Sequence, residues 1–160
     1  MMTRSTHSAS HPKLYALAAF LAVAGLADSI YLTVTHLTGE DVTCLASSGC
    51  SEVLSSAYAT IGNIPLGAFG AFGYFAAFSL ATLSAFGSRM AIILLRLLVA
   101  GMLAMTLWLL FVQAFILHAF CDFCLLSAAL TFSLSVIVTI GILIGRRNSM
   151  QSGHEPVVES

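Results

Sequence analysis

The sequence predicts an all-α integral membrane protein: a bundle of four transmembrane helices with a short interfacial helix in the first outer loop. Three observations lead there. Of 160 residues, 59% are hydrophobic and only 8% are charged, against about 25% charged in an ordinary soluble domain. Mean hydropathy is +0.98. The apolar residues gather in runs long enough to cross about 30 Å of hydrocarbon, which takes roughly 20 helical residues. Six basic and seven acidic side chains cannot solvate the surface of a soluble domain. The composition therefore excludes an ordinary soluble domain, a disordered chain and a nucleic-acid binder with a basic footprint.

The first span runs from about Leu14 to Leu37. It has no small-residue cleavage site leading into a soluble body, and more spans follow, so it reads as a retained helix. The second runs from about Pro65 to Phe86, with Pro65 suited to a first helical turn. The third runs from about Leu97 to Leu117, and the fourth from about Cys121 to Gly145. The expected layout is a polar head over 1–13, a membrane domain over 14–145 and a polar tail over 146–160. Three short polar connections separate the spans.

Lysine and arginine set the orientation. Arg4 and Lys13 lie in the head, Arg89 and Arg96 around the second turn, Arg146 and Arg147 in the tail. All fall on one side of a four-helix topology. Glu40, Asp41, Glu52 and Asp122 fall on the other. Both termini are expected in the cytoplasm, with the loop from Thr38 to Ile64 and the turn around His118 to Phe120 facing outward.

All four cysteines fall on that outer side. Cys44 and Cys50 sit in the first outer loop; Cys121 and Cys124 form a C-x-x-C at the outer end of the fourth helix. Disulfides persist in such a compartment. A cysteine at a helix start meets unpaired N–H groups and the positive end of the macrodipole, which favour its thiolate. Cys124, one turn further in, faces the apolar layer, while Cys121 is expected near water. The main reading is an exchangeable dithiol served by a second pair. Two structural disulfides, a zinc ion held by four thiolates and unrelated buried thiols are the other readings. After Cys50, Val53, Leu54, Ala57 and Tyr58 share one face, which suits a short amphipathic helix lying at the interface.

Asp28 falls near the middle of the first span, where an ionised carboxylate costs at least roughly 2.5–3.5 kcal/mol. It must face the interior, be protonated or pair, with Ser29, Thr33 or Gln113 as candidate partners. His36 and His118 are expected near the outer surface. Gly67, Gly70 and Gly73 repeat every third residue, a pattern for close helix packing.

Taken in order, several stretches resemble the bacterial branch of the vitamin K epoxide reductase family. They are Asp28-Ser29-Ile30-Tyr31-Leu32-Thr33, Cys44 with Cys50 and the following Ser-Glu-Val-Leu-Ser-Ser, Ile64-Pro65-Leu66-Gly67, and Cys121-Asp122-Phe123-Cys124-Leu125-Leu126-Ser127-Ala128. The resemblance implies a membrane thiol oxidoreductase whose four helices surround a quinone. It implies Cys121 and Cys124 as the active-site pair, Cys44 and Cys50 as the shuttle pair, and Ser56 as an active-site serine. Phe115, Phe120 and Phe123, with Trp108 and Phe111, are candidates to line the quinone ring; lipid-facing aromatics are the alternative. Asp28 is a candidate quinone contact or proton relay. The implied partners are an outward, thioredoxin-like (DsbA-like) protein and the ubiquinone or menaquinone pool of the cell (inner) membrane, with no metal and no nucleic acid. No fused thioredoxin-like domain is expected after the bundle. The animal enzymes carry a tyrosine where this chain has Ala128, so disulfide generation, rather than epoxide reduction, is the expected activity. Competing readings are a quinone reductase of the DsbB type, whose C-x-x-C belongs in the first outer loop, and a transporter or scaffold with stapled loops.

Overall fold

The computed structural model describes residues 12–39, 49–62 and 64–151, with side chains described for 13–144 within those ranges. Four long helices dominate. Helix α1 spans Pro12–Thr38, α3 Leu66–Ala85, α4 Arg89–Phe111 and α5 Asp122–Gln151, with the short α2 at Cys50–Ser55. Each long helix holds an apolar stretch sufficient to cross a membrane: Lys13–Thr38, Leu66–Ala85, Arg89–Leu117 and Asp122–Ile144.

The helices run alternately up and down, which their contacts show directly. A Cβ built on Gly67, at the start of α3, would lie 2.8 Å from Thr33 Oγ1, near the end of α1. A Cβ on Gly70 would lie 2.9 Å from Ser29 Oγ. These glycines let the two backbones close, the small-residue packing expected between membrane helices. Gly73 faces Met102 of α4 instead, with ordinary contact distances. Tyr31 of α1 meets Phe123 of α5 with ring centroids 5.0 Å apart. At the opposite end of the bundle, Tyr15 packs beside Gly141 of α5.

A core of small and aliphatic side chains fills that opposite half: Ala18, Ala22, Ala77, Ala81, Leu95 and Leu134 are all buried. Tyr74 reaches across it. Its ring presses on Gly25, where any side chain would clash. Its hydroxyl meets Thr131 Oγ1 at 2.8 Å and donates to the Ser127 carbonyl at 2.9 Å.

Three local features depart from the sequence reading. Helix α4 begins at Arg89, about two turns before the expected start at Leu97. Gly87, at φ +85, ends the preceding turn, and the Ser88 hydroxyl accepts from the Ala91 N–H at 3.4 Å. That is a serine N-cap, and it pulls Arg89 and Arg96 into the helix. Second, the chain before α3 forms a minimal hairpin, Thr60 opposite Pro65 and Ile61 opposite Ile64, across Gly62 at φ +57. Pro65 is extended and precedes the helix rather than occupying its first turn. Third, α2 ends at Ser55, shorter than the amphipathic run suggested. The Ser56 hydroxyl donates to the Val53 carbonyl at 2.7 Å and closes it; a one-turn 3₁₀ segment, Ala57–Ala59, follows.

Candidate functional site

The site forms where α2 sits on the start of α5. At its base, α4 widens into a π-helical segment, Val112–Leu117. His118 then adopts the left-handed conformation, φ 51, uncommon for a residue with a side chain. This reversal turns Ala119 and Cys121 inward, and both are buried.

Cys121 holds the N-cap position of α5. Its carbonyl accepts the Leu125 N–H at 3.0 Å, the first bond of the helix. A side chain there faces the unpaired N–H groups of the first turn. Accordingly the Cys121 sulfur takes hydrogen bonds from the Cys124 thiol and from the backbone N–H groups of Cys124 and Phe123. The thiol is lowered to about 7, chiefly by the Cys124 side chain, with burial and the Asp28 carboxylate opposing. The N–H groups of the helix start act in the same direction as the Cys124 thiol, with a smaller effect.

One expectation is corrected. Cys121 is not near water: it is 0% exposed. It lies in a buried cluster with Cys50, Val53 and Ala119, and Cys124 and Phe123 pack against that cluster. The cover is α2. Gly49, just before it, lies so close to the second turn that a Cβ would come 2.8 Å from the Phe120 carbonyl oxygen. With that approach, Cys50, 1% exposed, lies over Cys121. Cys50 is disulfide-bonded, while Cys121 and Cys124 are free thiols. Cys44 lies outside the described residues.

Beneath the cysteines is a cavity of about 600 Å³ between α1, α3, α4 and α5, roofed by α2. Its wall is mostly apolar. Val53 and Leu54 contribute from above, Met102 and Leu109 from α4. A small polar set converges on it: Cys124, Gln113, Tyr74, Ser127, Thr131 and Ser29. An apolar pocket of a few hundred Å³ with few polar groups is the usual form of a small-molecule site.

The residues singled out from sequence divide around this cavity. Cys124 and Ser56 line it, as does His36. Ser56 Oγ donates its proton to the Val53 carbonyl of α2. Phe115, Phe120 and Phe123 are not in the wall. Phe115 is 68% exposed and stacks on Phe111, centroids 4.9 Å apart; Trp108 continues that outward stack. Phe120 is 46% exposed, and Phe123 is turned toward Tyr31. Phe115 thus faces outward from the π-helical turn, Phe120 lies in the turn before α5, and Phe123 is half-buried against the Cys50–Cys121 cluster. Asp28 is buried at 8% exposure, with Oδ2 lacking a hydrogen-bond partner. Its expected partners are engaged elsewhere: Thr33 donates to the Ser29 carbonyl, and Gln113 accepts from Cys121. Asp28 lies behind the cavity, close enough to act electrostatically on Cys121, Cys124 and Tyr74.

Sequence reasoning passed over Gln113 as a site residue and Tyr74 entirely. A glutamine eight residues before the C-x-x-C, inside an apolar span, was the available signal for the first. A lone tyrosine among the glycines of α3 was the signal for the second.

The fold and the cysteine geometry together define a membrane dithiol protein with an intramembrane pocket beside one sulfur. The model of the vitamin K epoxide reductase family matches residues 16–139, and the chain belongs to that family. It is therefore a multi-pass membrane oxidoreductase that acts on thiols and disulfides.

Proposed function

We propose that the protein reoxidises an extracytoplasmic thioredoxin-like protein and passes the two electrons to a membrane quinone, so sustaining disulfide formation. The observation that carries this reading is the burial of Cys50 and Cys121 in one cluster, directly above a cavity that Cys124 lines. Lys13, Arg89 and Arg96 lie toward the other end of the bundle, which supports outward cysteines and cytoplasmic termini.

The reduced partner's thiolate attacks the shuttle disulfide, read as Cys44–Cys50, and leaves oxidised through a mixed disulfide. The Cys50 thiolate then attacks Cys121 of a closed Cys121–Cys124 pair. A Cys50–Cys121 bond forms, and Cys124 departs with the electron pair as a thiolate. Attack by Cys44 on Cys50 restores the shuttle and frees the Cys121 thiolate. The recorded state, Cys50 oxidised with Cys121 and Cys124 reduced, is the state that follows. A quinone supplies the acceptor chemistry, taking up two electrons and two protons as the Cys121–Cys124 bond re-forms. The cavity suits such a ring: apolar walls exclude water, and Cys124, Gln113, Tyr74 and Ser127 present sulfur and hydrogen-bonding groups. Ala128, also in the wall, offers only a methyl group where the resemblance places a tyrosine in the animal enzymes. This supports disulfide generation over epoxide reduction.

The test is the thiol state of Cys121 and Cys124 in purified reduced protein before and after a short-chain quinone is added. Conversion of both to a disulfide supports the reading, and a structural staple does not respond. Single replacements sharpen it. Cys124→Ala abolishes quinone reduction by any thiol, whereas Cys44→Ala blocks the protein partner and spares dithiothreitol. Normal turnover in Cys124→Ala overturns the assignment.

A further inference from the structure

Gln113 is a buried polar side chain that touches both members of the C-x-x-C. It is 4% exposed, on the inner side of the π-helical segment. Its Oε1 accepts the Cys121 backbone N–H at 3.3 Å. It borders the cavity beside Cys124, and its amide faces the Cys124 thiol. A backbone N–H can only donate, so this bond settles which end of the amide is oxygen. The amino end, a donor without acceptor capacity, is the end left for sulfur.

We propose that Gln113 is a catalytic residue of the dithiol centre, whose amino group stabilises the Cys124 thiolate while its carbonyl anchors Cys121. This rests on the reading of Cys121 and Cys124 as the exchanging pair. When Cys50 attacks Cys121, the Cys121–Cys124 bond breaks and the electron pair leaves on Cys124. That sulfur lies in an apolar cavity, where a negative charge without donors is costly. The N-terminal N–H groups of α5 serve Cys121, one turn away. Gln113 supplies Cys124 with a neutral donor that needs no counter-ion. Hydrogen bonds to charged groups are the stronger kind.

The π-helical turn explains how a residue on α4 reaches both sulfurs. Single π turns occur frequently at functional sites. Here the widened turn carries Val112 and Gln113 inward while Phe115 and Ile116 remain exposed. The amide thereby sits between the cavity and the start of α5.

Two variants separate its two contacts. Gln113→Leu removes both. Gln113→Glu, when ionised, keeps the acceptor for Cys121 and deletes the donor for Cys124. Each is made in full-length protein carrying Cys44→Ser, Cys50→Ser and Cys121→Ser, so that only Cys124 titrates. Ultraviolet thiolate absorbance is followed against pH, with no quinone present. Both variants are expected to move the Cys124 thiolate step to higher pH. In the otherwise native chain, both are expected to lower kcat for dithiothreitol-driven quinone reduction by about tenfold or more, the scale of a lost hydrogen bond to a charge. The quinone KM is expected to stay within about twofold of native, because the lost bond acts on the sulfur rather than on binding.

A native titration in both variants overturns the proposal, as does native kcat in Gln113→Glu. Should the unsubstituted protein fail to reduce quinone, the functional reading fails, yet the titration still decides the role of Gln113. If Gln113→Leu does not fold, Gln113→Glu alone carries the test.

Discussion

Gly49 packs against the backbone of Phe120, so closely that a methyl group on Gly49 would meet the Phe120 carbonyl oxygen at 2.8 Å and its nitrogen at 2.9 Å. Both obstacles are main chain, so no rotamer change relieves them. The contact fixes the distance between two segments that are remote in sequence, the start of α2 and the approach to Cys121. Its consequence is chemical, because Cys50 and Cys121 are the residues next to it.

Gly49→Ala therefore tests whether that approach matters. The backbone of Gly49, φ −93 and ψ 2, accepts alanine, so the effect is steric alone. Exchange between Cys50 and Cys121 is expected to slow by about tenfold or more, since about 1 Å of misplacement can cost a hundredfold. Quinone reduction by dithiothreitol, which bypasses Cys50, should change far less. Stopped-flow oxidation of a reduced thioredoxin-like protein, run beside the dithiothreitol assay, makes the comparison. Equal rates for Gly49→Ala and the parent in both assays refute a positional role.

Much of the architecture was readable in advance because it rests on strong, local signals. Four apolar runs and a C-x-x-C at a helix start need no tertiary information. The start of α4 was missed because the arginines looked like a loop, while the deciding feature was the Ser88 cap after Gly87. The burial of Cys121 was missed for a different reason. It depends on α2, which starts at Cys50, folding back onto a turn far along the chain at Phe120, a contact that leaves no periodicity behind. The same holds for the aromatics: Phe115, Phe120 and Phe123 lie near the thiols along the chain, yet none of them lines the cavity. The left-handed turn at His118, which aims Ala119 and Cys121 inward, has no glycine to announce it.

The thiolate at the helix start gives a pH dependence. Cys121 is lowered to about 7, so its thiolate is half formed there, and roughly a tenth remains one unit below. In protein carrying Cys44→Ser and Cys50→Ser, the first step of ultraviolet thiolate absorbance is expected near pH 7. The direct cause is the Cys124 hydrogen bond, so Cys124→Ala should move that step upward, toward an ordinary thiol. A first step at the ordinary value in the parent contradicts the account of the helix start.

Asp28 carries a buried Oδ2 without a partner, behind the thiols. Quinone reduction consumes protons, and a carboxyl so placed can hold and release one. Asp28→Asn is expected to retain thermal stability, because a neutral amide is cheaper to bury than an ionised carboxylate. Turnover should fall by about tenfold, within the range for one general acid–base group. The quinone reductase assay across pH is the check, and native turnover removes any proton role for Asp28.

Tyr74 ties α3 to α5 through Ser127 and Thr131 while lining the cavity. Tyr74→Phe leaves the Thr131 hydroxyl, 2% exposed, without that bond. A loss of about 1–3 kcal/mol is expected from one unsatisfied buried group. Thermal unfolding in detergent measures it, and unchanged stability contradicts the role given to this hydroxyl.

The most direct test of the whole account is to capture the bond between the two pairs. A protein carrying Cys44→Ala and Cys124→Ala retains Cys50 and Cys121 alone. Under mild oxidation it is expected to form an intramolecular Cys50–Cys121 disulfide, seen as one linked peptide pair by mass spectrometry after non-reducing digestion. Finding both cysteines reduced, or joined only between molecules, would contradict the proposal that electrons pass between these two sulfurs.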